Sequence, residues 1–267
     1  MLQLSLLTVF STLPNTKRHQ LLLGTAIQST RTIPASQPSR GTPGWLRTGL
    51  SILVLSVLAP QLQALDDQVW FALSANGPMK EDSRLLLWFD SHARYRDGVS
   101  DLGLTIIRPG LGWRLTDRTT AWAGYARVVG RRDNGPNVEE DRAWEQLTYP
   151  VVDLLGGSLT GRTRLEQRYI DGADDTGHRL RQSVRWTRPI GASDWSWVAA
   201  NEVFINLNDT DFGADTGYAQ NRAYAGLSWK PVPGLGFQFT YLNNHIDNPF
   251  GDNVKNNNFT VSMSLRW

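Results

Sequence analysis

The last nine residues, Phe259-Thr-Val-Ser-Met-Ser-Leu-Arg-Trp267, alternate without a fault. Phe259, Val261, Met263, Leu265 and Trp267 take one parity, and Thr260, Ser262, Ser264 and Arg266 take the other. Side chains in a strand point to opposite faces with period 2, so the segment is an apolar face backed by a polar one. Two environments accept such a ribbon. One is a sheet with a core on one side and water on the other; the second is a membrane barrel with lipid outside and a wet interior.

The same alternation recurs upstream. Spans 68–75, 84–96, 102–115, 119–129, 142–149, 158–170, 178–189, 195–206, 220–230, 235–244 and 258–267 read as strands, and no long segment after residue 64 keeps helical spacing. The chain is expected to be all-β. Its connections fall into two alternating classes: 116–117, 190–194 and 231–234 are tight, whereas 131–141, 171–177, 208–218 and 245–257 are long and rich in Asp, Asn and Gly. An outer-membrane barrel sorts its connections in this way, with short turns at the periplasmic rim and loops outside.

Trp residues near strand ends (Trp195, Trp197, Trp229, Trp267) are placed where an aromatic girdle would sit. The apolar parity Phe259, Val261, Met263, Leu265, Trp267 is the candidate membrane-insertion signal; its terminal aromatic resembles the signal by which barrel-assembly machinery selects outer-membrane clients. The expectation is an antiparallel transmembrane barrel with both termini at the periplasmic rim. Eleven segments conflict with the even strand number of bacterial single-chain barrels, so about 12 strands are expected, with one hidden near Leu65. The alternative is about ten, with 68–75 outside the wall.

Composition matters through residues 1–64. Of 27 basic residues, five (Lys17, Arg18, Arg31, Arg40, Arg47) lie there with no acid, leaving 22 basic against 25 acidic in residues 65–267. The sequence pI near 9.0 therefore belongs to the leader and carries no nucleic-acid reading. Arg47, the apolar run at 50–59 and Ala64 form a secretory signal, too short for a transmembrane helix. Residues 1–44 read as an overlong n-region, an organellar transit peptide or, the favoured reading, a start placed too far upstream, although no Met lies between Met1 and Met79. The domains expected are a leader, 1–64, and a barrel, 65–267. With no cysteine, the chain must be stable without disulfides.

Four stretches together, Arg108-Pro-Gly-Leu-Gly-Trp113, Arg162-Thr-Arg-Leu-Glu-Gln-Arg-Tyr169, Asn201-Glu-Val-Phe204 and Asn221-Arg-Ala-Tyr-Ala-Gly-Leu227, resemble an uncharacterised bacterial outer-membrane family known only as a domain of unknown function. The likeness spans about 66–267. Membership implies a barrel in the bacterial outer membrane, in contact with lipid and lipopolysaccharide, and brings no substrate, reaction or catalytic residue.

The polar parity of the middle strands carries Arg142, Arg162, Arg164, Arg168, Arg179, Arg181, Arg185 and Arg222, with Glu166 and Glu202. Glu145 lies nearby on the opposite parity from Arg142. Arginine stays charged and presents a planar fork that fits carboxylate or phosphate, so a basic ladder can guide small anionic solutes through a narrow lumen. Arg164 and Arg181 are the positions whose loss is expected to weaken anion preference. The competing reading is a plugged structural barrel in which Arg and Glu satisfy one another. A lipid-modifying enzyme is the third: His92, His178 and His245 remain after the leader, Ser183 has the wrong parity to serve His178, and His245 stands beside Asp247. The reading is of a non-enzyme without cofactor. The acidic runs 171–175 and 209–215 lack EF-hand spacing, and no metal is assigned.

Overall fold

The computed structural model describes residues 68–97, 99–248 and 251–267; the expected leader at 1–64 lies outside them. Eleven strands follow one another: β1 (Gln68–Pro78), β2 (Leu85–Arg96), β3 (Asp101–Arg114), β4 (Thr120–Gly130), β5 (Val138–Leu154), β6 (Gly157–Ile170), β7 (Thr176–Pro189), β8 (Trp195–Asn206), β9 (Gly217–Val232), β10 (Leu235–Ile246) and β11 (Val254–Arg266). Each corresponds to one of the eleven alternating segments, most of them lengthened at the ends. No helix occurs among the described residues. Every strand pairs antiparallel with its sequence neighbour, giving spatial order β1 to β11.

The sheet closes on itself, because β1 lies against β11. Ser74 Oγ donates to the Met263 carbonyl at 3.5 Å, and Trp267 Nε1 donates to the Pro78 carbonyl at 3.1 Å. Both pairs are 189 residues apart, so the two edges run in the same direction with a constant offset. An odd number of strands linked by antiparallel neighbours requires such a parallel seam. This corrects the expected count of 12 or ten: eleven strands close directly, and 68–75 belongs to the wall. The two ends of the barrel also lie at opposite rims, Gln68 with the long connections and Arg266 with the short turns, where a shared rim was expected.

Local chemistry sets the turns. Leu155 (φ 52°) and Gly156 (φ 70°) join β5 to β6 in two residues, both left-handed, the conformation a two-residue hairpin demands. β9 and β10 are joined by two residues ending in Gly234 (φ 82°). At the other rim, 131–137, 207–216 and 247–253 are longer; the 97–100 connection there is as short as a turn, so the sorting of connections is looser than the sequence suggested.

The faces are assigned by exposure. Leu165, Val184 and Leu265 are 41%, 40% and 38% exposed, whereas Arg164 and Arg181 are 1% and 6%. Apolar parity thus faces out around the wall and polar parity faces in, the reverse of a soluble barrel. Outward Trp113, Trp186, Trp195, Trp197, Trp229 and Trp267 cluster near strand ends at the short-turn rim, with Trp195 stacked on Trp229 at 5.7 Å. Tyr95, Tyr169 and Tyr218 take corresponding places toward the other rim. Four further tryptophans, Trp70, Trp88, Trp122 and Trp144, point inward, so not every Trp of the chain serves a girdle.

Candidate functional site

Inward residues alternate along each strand, so neighbouring strands bring charges two apart in sequence into one mesh. Among the described residues four carboxylates are buried, Asp90, Glu140, Glu166 and Glu202. A buried carboxylate persists only with compensating charge and hydrogen bonds, and each has them. Asp90 meets Arg108 Nη1 at 3.0 Å and His92 Nε2 at 3.1 Å. Glu140 takes Arg142 at 2.7 Å and Arg168 at 2.5 Å. Glu166 takes Arg179 and Arg181, both at 2.6 Å. Glu202 takes Arg162 at 2.6 Å and Arg181 at 2.7 Å. Arg181, on β7, therefore clamps a carboxylate on each flanking strand.

A row of stacked groups crosses the lumen from this mesh, toward the long-connection rim. The Arg181 and Arg222 guanidinium carbons lie 4.4 Å and 4.7 Å from the Phe204 ring centroid, and those of Arg222 and Arg94 lie 5.1 Å and 3.9 Å from that of Trp70. The row links β7, β8, β9, β1 and β2, covering the inner surface where Leu242 and Asn258 are fully buried. On the opposite wall Trp144 lies edge-on to Trp88 and beneath the Arg164 guanidinium at 4.7 Å. Arg164 Nε donates to Gln146 Oε1 at 2.9 Å, while its two terminal nitrogens are buried without a hydrogen-bond partner.

Around this septum is a cavity of about 1200 Å³ with lining from both rims, Gln68 and Asn256 at one and Lys230 and Arg266 at the other. Its lining holds twelve basic side chains (eleven Arg and Lys230) and two carboxylates, Asp90 and Glu202. Both acids are already paired. Arg94, Arg185, Arg222, Lys230 and Arg266 line it with no carboxylate within ion-pair distance among the described residues. Arg185 reaches across the lumen from β7 to donate to the neutral Gln238 of β10.

All ten lumen residues expected from sequence sit on inward-facing positions, but they divide. Arg142, Arg162, Arg179, Arg181, Arg185, Glu202 and Arg222 line the cavity; Arg164, Glu166 and Arg168 are packed against the wall. Only Arg185 and Arg222 of that set make no ion pair with a described carboxylate, whereas Arg164 and Arg181 are held against Glu166, and Arg181 against Glu202 as well. Glu145 faces out, accepting from Gln167 Nε2 at 3.2 Å. Asp90, His92, Arg94, Arg96, Arg108, Glu140 and Trp70 were not in the expected set. Their signal was present: Trp88, Asp90, His92, Arg94 and Arg96 share one parity against Phe89, Ser91, Ala93 and Tyr95.

His245 lies within β10, its Nδ1 3.1 Å from the Tyr218 hydroxyl, so it is hydrogen-bonded to a phenol and not to Asp247. His178 and Ser183 lie on opposite faces of β7. In the connections at 171–175 and 207–216 the acids serve the backbone: Asp211 accepts from the amides of Asp174 and Asp175, and Asp175 accepts from that of Asp211. Hydrogen bonds from Thr216 hold the Asp209 carboxyl below the usual range.

The chain is similar, at 31% identity over 204 residues, to an uncharacterized protein of Methylorubrum extorquens; the match covers 74% of this chain and 86% of that protein. No solved structure matches. Residues 67–255 fit the family described as "Protein of unknown function (DUF2490)", and with nearly the whole barrel inside that match, the chain belongs to this family.

Proposed function

We propose that the barrel spans the outer membrane of a Gram-negative bacterium and gives small anions a restricted passage. Support for the location is the continuous apolar exterior, bounded by Trp at one rim and by Tyr and the Arg127, Glu139 and Asp141 cluster toward the other. A wall of exposed Leu, Val and Trp around a charged interior is costly in water and matched to hydrocarbon. The barrel is accordingly expected to remain in the membrane fraction through carbonate extraction and to require detergent for release; recovery in the soluble fraction defeats the location.

The observation that carries the passage is the group of cavity cations with no described carboxylate within ion-pair distance, Arg94 and Arg222 toward the long connections and Arg118, Arg185, Lys230 and Arg266 nearer the short turns. A low-dielectric wall bearing one sign of charge concentrates the opposite ion. In a planar bilayer with a salt gradient, the reversal potential is expected to report anion preference, and Arg185→Glu to reduce or invert it. The septum favours a second reading, a closed structural barrel. Stable insertion without current steps selects that one.

A further inference from the structure

We propose that Arg94 and Arg222, held together against Trp70, form a binding site for a small oxyanion of the phosphate class inside the lumen. The two guanidinium groups come from β2 and β9, their carbons 3.9 Å and 5.1 Å from the centroid of one ring on β1. Among the described residues neither has a carboxylate within ion-pair distance: Glu202 stands opposite Arg222 in the β8–β9 register but is paired with Arg162 and Arg181. Arg94 donates no hydrogen bond to a described residue, and its Nε is buried without a partner. Arg222 is 8% exposed, and its polar neighbours are neutral: Asn244 Oδ1 lies 3.4 Å from its Nε, and the Gln220 amide, with its oxygen turned toward Arg222, accepts from Nε and Nη2 at 3.2 Å. The ionisable groups that act on Arg94 include the cations Arg222, Arg142 and Arg181 and the Tyr224 phenol.

Two like charges brought together away from bulk water, with no described carboxylate in direct contact, raise the free energy of the fold. The four buried carboxylates show that this chain supplies counter-charge elsewhere; Glu202, opposite Arg222, is committed to Arg162 and Arg181, and the polar side chains in contact with Arg222 are the neutral Asn244 and Gln220. Stacking on Trp70 restrains the guanidinium planes, so their N–H forks are aimed before a ligand arrives. An oxyanion with several acceptor oxygens can engage both forks; a spherical halide cannot. Both side chains line the cavity, so the position is reached from the lumen.

The inference deepens the anion reading and rests on the lumen being open to solvent, but its test does not need conduction. The full chain is titrated in detergent with inorganic phosphate, at ionic strength held constant with chloride, and the phosphorus-31 line width is followed. Broadening is expected with the wild type, weakened at least tenfold in Arg222→Gln and in Arg94→Gln, and unchanged in Arg131→Gln on the 131–137 connection. No broadening above the chloride control, or equal broadening in the Arg94→Gln/Arg222→Gln double variant, overturns the site. Removing one of two repelling charges should leave melting in phosphate-free buffer at or above the wild-type temperature; a much lower value overturns the like-charge premise. Phosphate binding with silent bilayers keeps this site and removes the passage, whereas anion-selective current without phosphate binding does the reverse.

Discussion

Arg181→Ala is expected to lower the stability of the barrel by about 3–5 kcal/mol, the cost of stripping a buried carboxylate of its partner. The effect is large because one guanidinium serves two acids, with Nη1 2.6 Å from Glu166 and Nη2 2.7 Å from Glu202. Both carboxylates are nearly inaccessible, so water cannot replace the lost donor. Glu202 retains Arg162, and Glu166 retains Arg179. Those remaining pairs keep the loss within the range for removing one partner. Urea titration of the protein in lipid vesicles, followed by tryptophan fluorescence, reads the change. A drop under about 1 kcal/mol would show that solvent reaches the mesh. Replacing the triad together, Glu166→Gln with Arg181→Met and Glu202→Gln, is expected to recover most of the stability, since an uncharged set has no solvation to forfeit. Selectivity separates the two kinds of cation: Arg185→Glu acts on current and Arg181→Ala on folding.

That division was beyond reach of the strand pattern, although much else was not. Alternation located all eleven strands, because a wall with lipid-like and water-like sides imposes period 2 on every one. The same parity put Arg162, Arg164 and Arg168 inside and Leu165 and Tyr169 outside. Pairing between charges is a different matter. Arg181 meets Glu166 and Glu202 through the registers Leu165↔Leu180 and Ser183↔Glu202, which depend on two hairpins at once. Arg185 meets Gln238 across the hollow, where no ladder connects them. Closure was misjudged for a related reason: neighbouring strands announce antiparallel pairing through their turns, whereas the seam joins residues 189 apart and leaves no local trace. Inward Trp88 and Trp144 were legible but overlooked, since within β2 Trp88 shares the parity of Asp90 and Arg94 and not of Phe89, and within β5 Trp144 shares that of Arg142.

Those inward indoles need room, and the room is made by glycine. Gly110 on β3 pairs with Gly124 on β4, and the Trp144 ring from β5 lies over both. A Cβ on Gly124 would strike the Pro109 carbonyl oxygen and stand 2.7 Å from Gly110 Cα and from Trp144 Cζ2. One on Gly110 would stand 2.7 Å and 2.8 Å from Trp144 Cζ2 and Cη2, with the Ala123 oxygen at 3.0 Å. Real Cβ atoms do not approach so closely, so something must move in either variant. The two differ in what has to give. At Gly124 the obstacle includes backbone of the neighbouring strand, so Gly124→Ala is expected to cost about 3 kcal/mol or more, at the top of the range for overpacking. Shortening the indole with Trp144→Leu leaves the carbonyl in place and should not rescue it. At Gly110 the nearest obstacle is the six-membered ring of Trp144, and Trp144→Leu removes that ring. Gly110→Ala should therefore be partly rescued in the double variant, giving a coupling energy in the mutant cycle that Gly124→Ala lacks. Equal rescue at both positions would mean that the β3–β4 ladder can spread to admit a methyl group, and that Trp144 alone sets the shape of this wall.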